Sequence, residues 1–241
     1  AHKVYLEKDK VVDGYYYLPH NSIEVFFVMR GSITRKIIGT HKNYQMETGH
    51  AYIASTRSKG MMLSAQEDVE FILLEISPAT RLDSSGINLL SRRDSIMALD
   101  GFCASCGDEF SLCKDLTTFL SSQLKPLGEN QMVIDECVEI IKETKGEIMV
   151  KDLNERVGVC KSTLEEKFSK SLGISPKEFC KIEKLNHFLS NFFQYEDMNL
   201  TQLTFKSGYY DQSHLIKDFK YFVDLSPRRY LKEANRLETG L

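Results

Sequence analysis

The second half of this 241-residue chain contains an internal repeat that restricts how the half can fold. Leu153 and Gly158 recur 50 residues later as Leu203 and Gly208. Further positions match at an offset of 51 residues: Leu164 with Leu215, Phe168 with Phe219, and Ser175-Pro176 with Ser226-Pro227. Each copy predicts a short helix, a glycine-containing turn and a second helix, which together form a helix-turn-helix.

The repeated leucines and phenylalanines predict which side of each second helix is buried. Leu164 and Phe168 are four residues apart, as are Leu215 and Phe219, so each pair lies on one face of its helix. The opposite face is then left for solvent or for DNA. One such pair of helices is most often part of an ordinary helical bundle, but two matched copies favour a pair of DNA-reading units.

Capping patterns mark the helix starts in this half. Ser175-Pro176 and Ser226-Pro227 each place a capping serine before a proline at the first helical position, and Asn199 with Gln202 predicts a capping box. Asp211 is a good N-cap for the second helix of the second copy.

The first half differs, because residues 3–76 contain short apolar and β-branched runs at intervals of roughly ten residues, which favours a sandwich or barrel. Residues 108–124 then show a helical stripe, and Pro126-Leu127-Gly128 predicts a linker. This stripe suits packing either in a dimer or on the chain's own barrel.

Composition excludes several classes of protein. Hydrophobic residues make up 42% of the chain and charged residues 27%, which is typical of globular proteins and not of disordered or collagen-like chains. No uninterrupted apolar stretch is long enough to span a bilayer, and the charged N-terminus does not resemble a secretory signal. Six cysteines without such a signal favour free thiols in the cytoplasm.

Charge alone argues against a nucleic-acid partner, because 31 basic and 34 acidic residues give a net charge of −3. Residues 202–236, however, hold seven basic and four acidic residues, a net charge of +3. The positive excess therefore lies on the second helix-turn-helix, which removes the objection without proving that DNA is bound.

The second copy carries a specific resemblance. The run from Ser207 to Lys220, SGYYDQSHLIKDFK, followed by Leu225-Ser226-Pro227-Arg228-Arg229-Tyr230, resembles the signature of the AraC/XylS family of bacterial transcription regulators. The likeness extends over about residues 135–236. It implies an all-α DNA-binding domain over 129–241, with helix-turn-helix units at about 150–171 and 200–222. It also implies a long joining helix that lets each unit reach its own major groove.

Double-stranded DNA is then the expected partner, with RNA polymerase as a further candidate and transcriptional activation as one possible output. The side chains expected to contact DNA are Lys161, Ser162, Lys167, Gln212, Ser213, His214, Lys217, Lys220, Arg228 and Arg229. The first unit departs from the family at Cys160, where a serine cap is usual, and carries acidic Glu165 and Glu166 on its second helix. The second unit is therefore expected to be the better DNA reader.

The first half resembles the cupin β-barrel through His20-Asn21-Ser22-Ile23-Glu24 and the later Gly31 and Gly49. Too few metal ligands accompany this motif for a stable site, so we expect a barrel without metal or other cofactor. The resemblance implies a cupin-like effector-sensing domain over 1–107, in an α+β chain whose residues 108–128 form a helix and linker for homodimerisation. Candidate contacts to an unknown small-molecule effector are His20, Glu24 and Tyr52.

Two rival functions stay open beside the expected non-enzymatic regulator. A cupin-type metalloenzyme with a helical appendage would require bound metal, and a regulator that acts mainly through protein partners would fit Glu165 and Glu166. Cys103 and Cys106 form a CxxC pair for which free cytosolic thiols are the favoured interpretation and a redox role the alternative.

Overall fold

A computed structural model describes residues 2–8, 14–54, 59–78, 96–99, 102, 109–122, 129–195 and 197–238. The CxxC pair at 103 and 106 and the predicted linker at 126–128 lie outside these residues. Within them, the first half forms antiparallel sheets and the second half forms helices, which confirms the expected α+β class.

Nine strands form two antiparallel sheets in the described part of the first half. The strands are β1 His2–Leu6, β2 Tyr15–Tyr17, β3 Ile23–Arg30, β4 Ile33–Ile37, β5 Asn43–Met46, β6 Ala51–Ala54, β7 Met61–Ser64, β8 Val69–Ile76 and β9 Ile96–Ala98. One sheet has the order β1-β8-β3-β6-β9 and the other β2-β7-β4-β5. Gly31, at a φ of 76°, makes the turn between β3 and β4 that the Arg30-Gly31 pair predicts.

The two sheets enclose a common core, because alternate side chains of each strand point inward. Phe26 and Val28 of β3 meet Ile33 and Ile37 of β4 there, and all four are buried. The opposite face of β3 is buried as well, since Val25 and Phe27 pack beneath a helix. A strand covered on both faces explains the nearly continuous apolar run from Val25 to Met29.

Helix α1, Glu109–Ser122, covers the outer face of the five-stranded sheet. Leu116 and Leu120 of the predicted stripe are buried against that sheet, together with Leu112, which the stripe did not include. This face of the helix therefore packs on its own domain. Phe110, which belongs to the same predicted stripe, is 78% exposed.

Seven more helices form the second half. They are α2 Glu129–Glu143, α3 Val150–Val157, α4 Lys161–Leu172, α5 Pro176–Gln194, α6 Leu200–Lys206, α7 Gln212–Val223 and α8 Pro227–Glu238. The repeated residues Leu153, Leu164, Leu203 and Leu215 are all buried in one core that these helices share. The repeat thus forms two helix-turn-helix units, α3–α4 and α6–α7, joined by α5.

The predicted caps begin these helices. Ser175 accepts a hydrogen bond from the Glu178 backbone N–H, and Asn199 and Gln202 form the reciprocal capping box. Each cap satisfies a backbone donor that the first helical turn leaves without an intrahelical partner. The helices therefore start where the sequence predicts.

Candidate DNA-binding surface

The second helix-turn-helix unit presents a polar face on α7. Asp211 caps this helix, and its Oδ1 accepts a hydrogen bond of 2.8 Å from the His214 backbone N–H. Leu215, Phe219 and Phe222 are buried on the inner side of the helix. The predicted DNA contacts Ser213, His214, Lys217 and Lys220 all lie on its exposed side. The structure therefore brings four of the predicted residues together on one helix face.

Gln212 is held by a hydrogen bond to the first helix of its unit. It is half-buried, and its Nε2 donates a hydrogen bond of 2.6 Å to the hydroxyl of Thr201, near the start of α6. This contact orients the amide relative to the first helix of the unit. An amide held in this way loses less rotamer freedom when it pairs with a base edge.

The first helix of the second unit ends in a sharp turn that sets the angle of α7. Gly208 adopts a φ of 73°, in the left-handed region, and Tyr209 after it is 98% buried in the shared core. Tyr210, the next residue, is 85% exposed.

The first unit presents a less basic surface. On α4, Lys161 lies 3.8 Å from Glu165, and Lys170 lies 2.5 Å from Glu166, with each pair four residues apart. The Lys170 hydrogen bond also holds the pKa of Glu166 below its ordinary value, so this carboxylate stays charged. Ser162 is exposed and Lys167 half-buried on the same helix. The acidic side chains offset the lysines that were expected to contact DNA.

Cys160 is the N-cap residue of α4 and makes no capping hydrogen bond through its side chain. Its Sγ instead lies 3.2 Å from the Ser162 hydroxyl oxygen and 3.0 Å from that of Thr163. These hydroxyl contacts stabilise the thiolate and lower its pKa to about 7. An exposed and readily ionised thiol thus begins the first recognition helix.

The N-terminus of α8 carries two arginines. The Ser226 Oγ accepts a hydrogen bond of 3.3 Å from the Arg229 backbone N–H, and both Arg228 and Arg229 have exposed side chains. Helix N-termini attract anions through their unpaired N–H groups, and nearby guanidinium groups add to this attraction. The arrangement is suited to a DNA phosphate.

The candidate effector residues of the first half are not all in one place. Glu24 is fully buried and points to the same side of β3 as Phe26, toward the core between the sheets. Tyr52 pairs across the sheet with Phe26, and its hydroxyl accepts a 2.8 Å hydrogen bond from the Glu47 backbone N–H. His20 lies elsewhere, 3.9 Å from Glu75, in a cleft that helices α2 and α5 also line.

A converging metal-ligand set was not found in the described ranges, which hold no group of three or more His, Cys, Asp or Glu side chains suited to one ion. The helices described between residues 109 and 238 include none that is both long and apolar enough to cross a bilayer.

A family model described as a helix-turn-helix domain matches residues 153–233, from the first unit through the start of α8. The same region contains the residues that resemble the AraC/XylS signature. The apolar residues repeated in its two units are buried. Residues 153–233 therefore form a helix-turn-helix domain, which we call the AraC-type domain because its sequence resembles that family.

Curated relatives resemble only part of this chain. Uncharacterized HTH-type transcriptional regulators of Staphylococcus aureus strains MSSA476 and N315 are each 26% identical over 84 residues. The match covers 35% of this chain but only 11% of each relative. The chain therefore matches only a small part of the length of these relatives, and most of each relative stays unmatched.

Solved structures resemble the whole chain in fold. ToxT from Vibrio cholerae has a TM-score of 0.60 at 13% identity, over 96% of this chain and 97% of that one. A structure of ToxT with bound unsaturated fatty acid has a TM-score of 0.59 at 13% identity, over 95% and 93% of the two chains. The AraC-type domain and the two-sheet domain before it thus occur together in a known fold.

Contacts between the AraC-type domain and the first half were not predicted from the sequence. The Asn21 Nδ2 donates to the Phe179 carbonyl at 2.8 Å and to the Glu183 carboxylate at 3.0 Å, both on α5. The Gly60 backbone N–H donates to the Phe222 carbonyl at 2.7 Å, at the C-terminal end of α7. Leu18 is buried in the helical core itself. The first half therefore contacts both the joining helix and the second recognition helix.

Proposed function

We propose that this chain is a sequence-specific DNA-binding transcription regulator, controlled by a small molecule bound to its first half. The observation that carries this proposal is the placement of two helix-turn-helix units at the ends of α5. This 19-residue helix is about 28 Å long at 1.5 Å per residue, close to the ~34 Å between successive major grooves. One chain can therefore address two adjacent grooves.

Within this function, the second unit supplies most of the base contacts. Ser213 and Lys217 on α7 reach base edges together with Gln212, whose amide is suited to adenine. Arg228 and Arg229 bind phosphate and set the register of the protein on the duplex. The curated relatives support this assignment, since they are named as HTH-type transcriptional regulators. A cytoplasmic location belongs to the same proposal, since double-stranded DNA is the proposed partner.

The effector is proposed to bind in the first half, at residues 1–107. The inward-facing Glu24 and Tyr52 are the candidate contacts, and His20 is a candidate at the separate cleft beside α2 and α5. One solved structure of ToxT contains a bound unsaturated fatty acid, which supports the idea that this fold accepts a small organic ligand.

The effector signal is proposed to travel through the contacts between the two halves. Because Asn21 binds α5 and Gly60 binds the end of α7, a ligand that prefers one arrangement of the halves changes how the recognition helices are presented. The helix and linker at 108–128 would add a homodimer contact, for which the 78% exposed Phe110 of α1 is available. RNA polymerase stays a candidate partner for the DNA-bound form.

Selection from a random duplex library, followed by fluorescence anisotropy with the selected duplex, tests the proposal. We expect tight binding to the selected duplex, weaker binding to a scrambled one, and a steep loss of affinity with added salt. Enrichment of no sequence, together with salt-independent binding, would contradict a role as a DNA reader.

Asn21→Ala tests the coupling between the halves with the same duplex. The variant loses two hydrogen bonds between the domains but none on the DNA surface, so its DNA affinity should change while its base preference does not. Unchanged affinity and unchanged effector response would contradict signal transfer through this contact. Tyr5→Phe, which removes an exposed hydroxyl bonded to Asp68 within the first half, is a matched control.

A further inference from the structure

The joining helix α5 carries three lysines that line one groove. Lys177, Lys181 and Lys184 are spaced four and three residues apart, so their side chains lie on one face of the helix. The groove has a volume of about 460 Å³, and its other walls are His214 of α7 and residues 146–150 around the start of α3. It therefore lies between the two helix-turn-helix units.

The walls of this groove are held together by close backbone contacts. A Cβ on Gly146 would lie 2.1 Å from the Cys180 carbonyl oxygen, so the segment before α3 lies directly against α5. A Cβ on Gly208 would lie 2.4 Å from the Glu147 side chain, which brings the turn of the second unit against the same segment. Lys184 adds a hydrogen bond of 3.2 Å from its Nζ to the Gly208 carbonyl. These contacts preorganise the groove before any ligand arrives.

Lys181 is positioned by a buried partner. Its Nζ lies 2.5 Å from Oδ1 of Asp218, whose side chain is only 1% exposed, while the Lys181 side chain is 32% exposed. An ammonium group has three N–H donors, and Asp218 accepts from one of them. The remaining donors can therefore meet a ligand in the groove.

The net charge of the residues that line the groove favours an anionic ligand. Three lysines face two carboxylates, those of Glu147 and Asp218, which leaves a net charge of +1 with His214 neutral. His214 directly follows Ser213, which lies on the proposed base-reading face of α7. An anion in the groove therefore lies beside the bases that α7 would read.

We propose that this groove binds the sugar-phosphate backbone of DNA where it passes between the two recognised major grooves. The inference rests on the proposed function. The backbone that separates two adjacent major grooves must pass the helix that joins the two recognition helices. Phosphate contacts at that point fix the register of both units on the duplex without reading sequence.

Salt-dependent anisotropy of the full chain on its selected duplex and on a scrambled duplex tests this site. Each lost phosphate contact lowers the slope of log K against log salt concentration by about 0.9, equivalent to about fivefold weaker binding at 0.15 M salt. We expect that loss for Lys177→Gln on both duplexes. Lys36→Gln is the control, because Lys36 is an exposed lysine on β4 of the first half, outside the groove and the recognition helices, and the variant removes the same charge.

A second variant tests the groove without leaving the Asp218 carboxylate buried and deprived of the Lys181 cation, as Lys181→Gln alone would do. Lys181→Gln combined with Asp218→Asn keeps two groups that can hydrogen-bond, and it should also lower the slope by about 0.9. If the wild-type chain binds DNA but both groove variants keep its slope, the groove inference is overturned while the proposed function stands. If the wild-type chain shows no salt-dependent binding, the proposed function itself fails.

Inorganic phosphate distinguishes a DNA site from a site for a free anion. At constant ionic strength, millimolar phosphate should leave the melting temperature of the wild-type chain unchanged. Stabilisation by phosphate that Lys177→Gln abolishes, together with an unchanged DNA slope, would assign the groove to a small anion instead and overturn the proposal.

Discussion

The ion pair between α5 and α7 predicts an asymmetric double-mutant cycle. Lys181→Met removes the cation and leaves the Asp218 carboxylate, which is 1% exposed. Among the described ion pairs, the only other nitrogen near this carboxylate is the His214 Nε2, at 3.6 Å. Asp218→Leu removes the carboxylate and leaves a lysine that is 32% exposed and can extend into water. The two single variants should therefore differ in stability.

The structure sets the size of each effect. Removing one partner of a buried ion pair costs about 3–5 kcal/mol, and the partial exposure of Lys181 places Lys181→Met near 3 kcal/mol because water reaches the vacated space. Asp218→Leu should cost about 1 kcal/mol, since no buried charge remains and leucine adds apolar contact. The double variant should lie within about 1 kcal/mol of the wild-type chain, so the two changes should be strongly non-additive.

Urea denaturation of the full chain, followed by circular dichroism at a helical wavelength, measures the three free energies of unfolding. Equal destabilisation by the two single variants would refute the argument from unequal burial. Additive effects in the double variant would show that the two side chains are not energetically coupled.

Three further predictions concern the helix-turn-helix units. Gly146→Ala should destabilise the chain by about 3 kcal/mol or more in urea denaturation, because its φ of 74° is unfavourable for alanine and a backbone carbonyl oxygen lies 2.1 Å from the new Cβ. Gly158→Ala, at a φ of 69° but in open space, should destabilise the chain by only about 1 kcal/mol. Equal destabilisation by the two variants would contradict the close contact at Gly146. Because the pKa of Cys160 is about 7, its thiolate forms as the pH rises through 7, and the rate of alkylation by iodoacetamide should increase between about pH 6 and 8. This increase should be absent in Cys160→Ser. A midpoint of the rate increase near pH 9 would contradict the effect of the hydroxyl contacts. Gln212→Ala should relax base preference, whereas Arg228→Ala should weaken binding to every duplex alike, and equal effects of both changes on all sequences would exclude a base contact by Gln212.

Local patterns were sufficient to predict the helical half. The four-residue spacing of Leu164 with Phe168, and of Leu215 with Phe219, correctly predicts the buried faces of α4 and α7. Capping residues act within a single turn of helix, so their positions predict the helix starts without knowledge of the rest of the fold. The strands β1, β2, β5 and β9 were not predicted individually, because each is short and carries too little alternation to be recognised.

The sequence did not determine whether the apolar side of helix α1 packs in a dimer or on its own domain. The structure shows that its leucine face packs on its own domain. Leu112, Leu116 and Leu120 of α1 repeat every four residues, a spacing equally suited to a second copy of the chain or to the chain's own sheet. Burial against Val25 and Phe27 settles where this face lies, since those strand residues complete a second apolar layer.

The repeat by itself determined that this chain has two helix-turn-helix units, because the residues that specify each unit lie within about 20 positions of one another. Only the tertiary structure placed Lys181 beside Asp218, 37 residues away, and Asn21 against the Phe179 carbonyl, 158 residues away. Contacts at such separations leave no periodic signal in the sequence, since each partner belongs to the pattern of its own helix or strand. The groove between the two units and the contact between the two halves both depend on such contacts, so only the folded chain could reveal them.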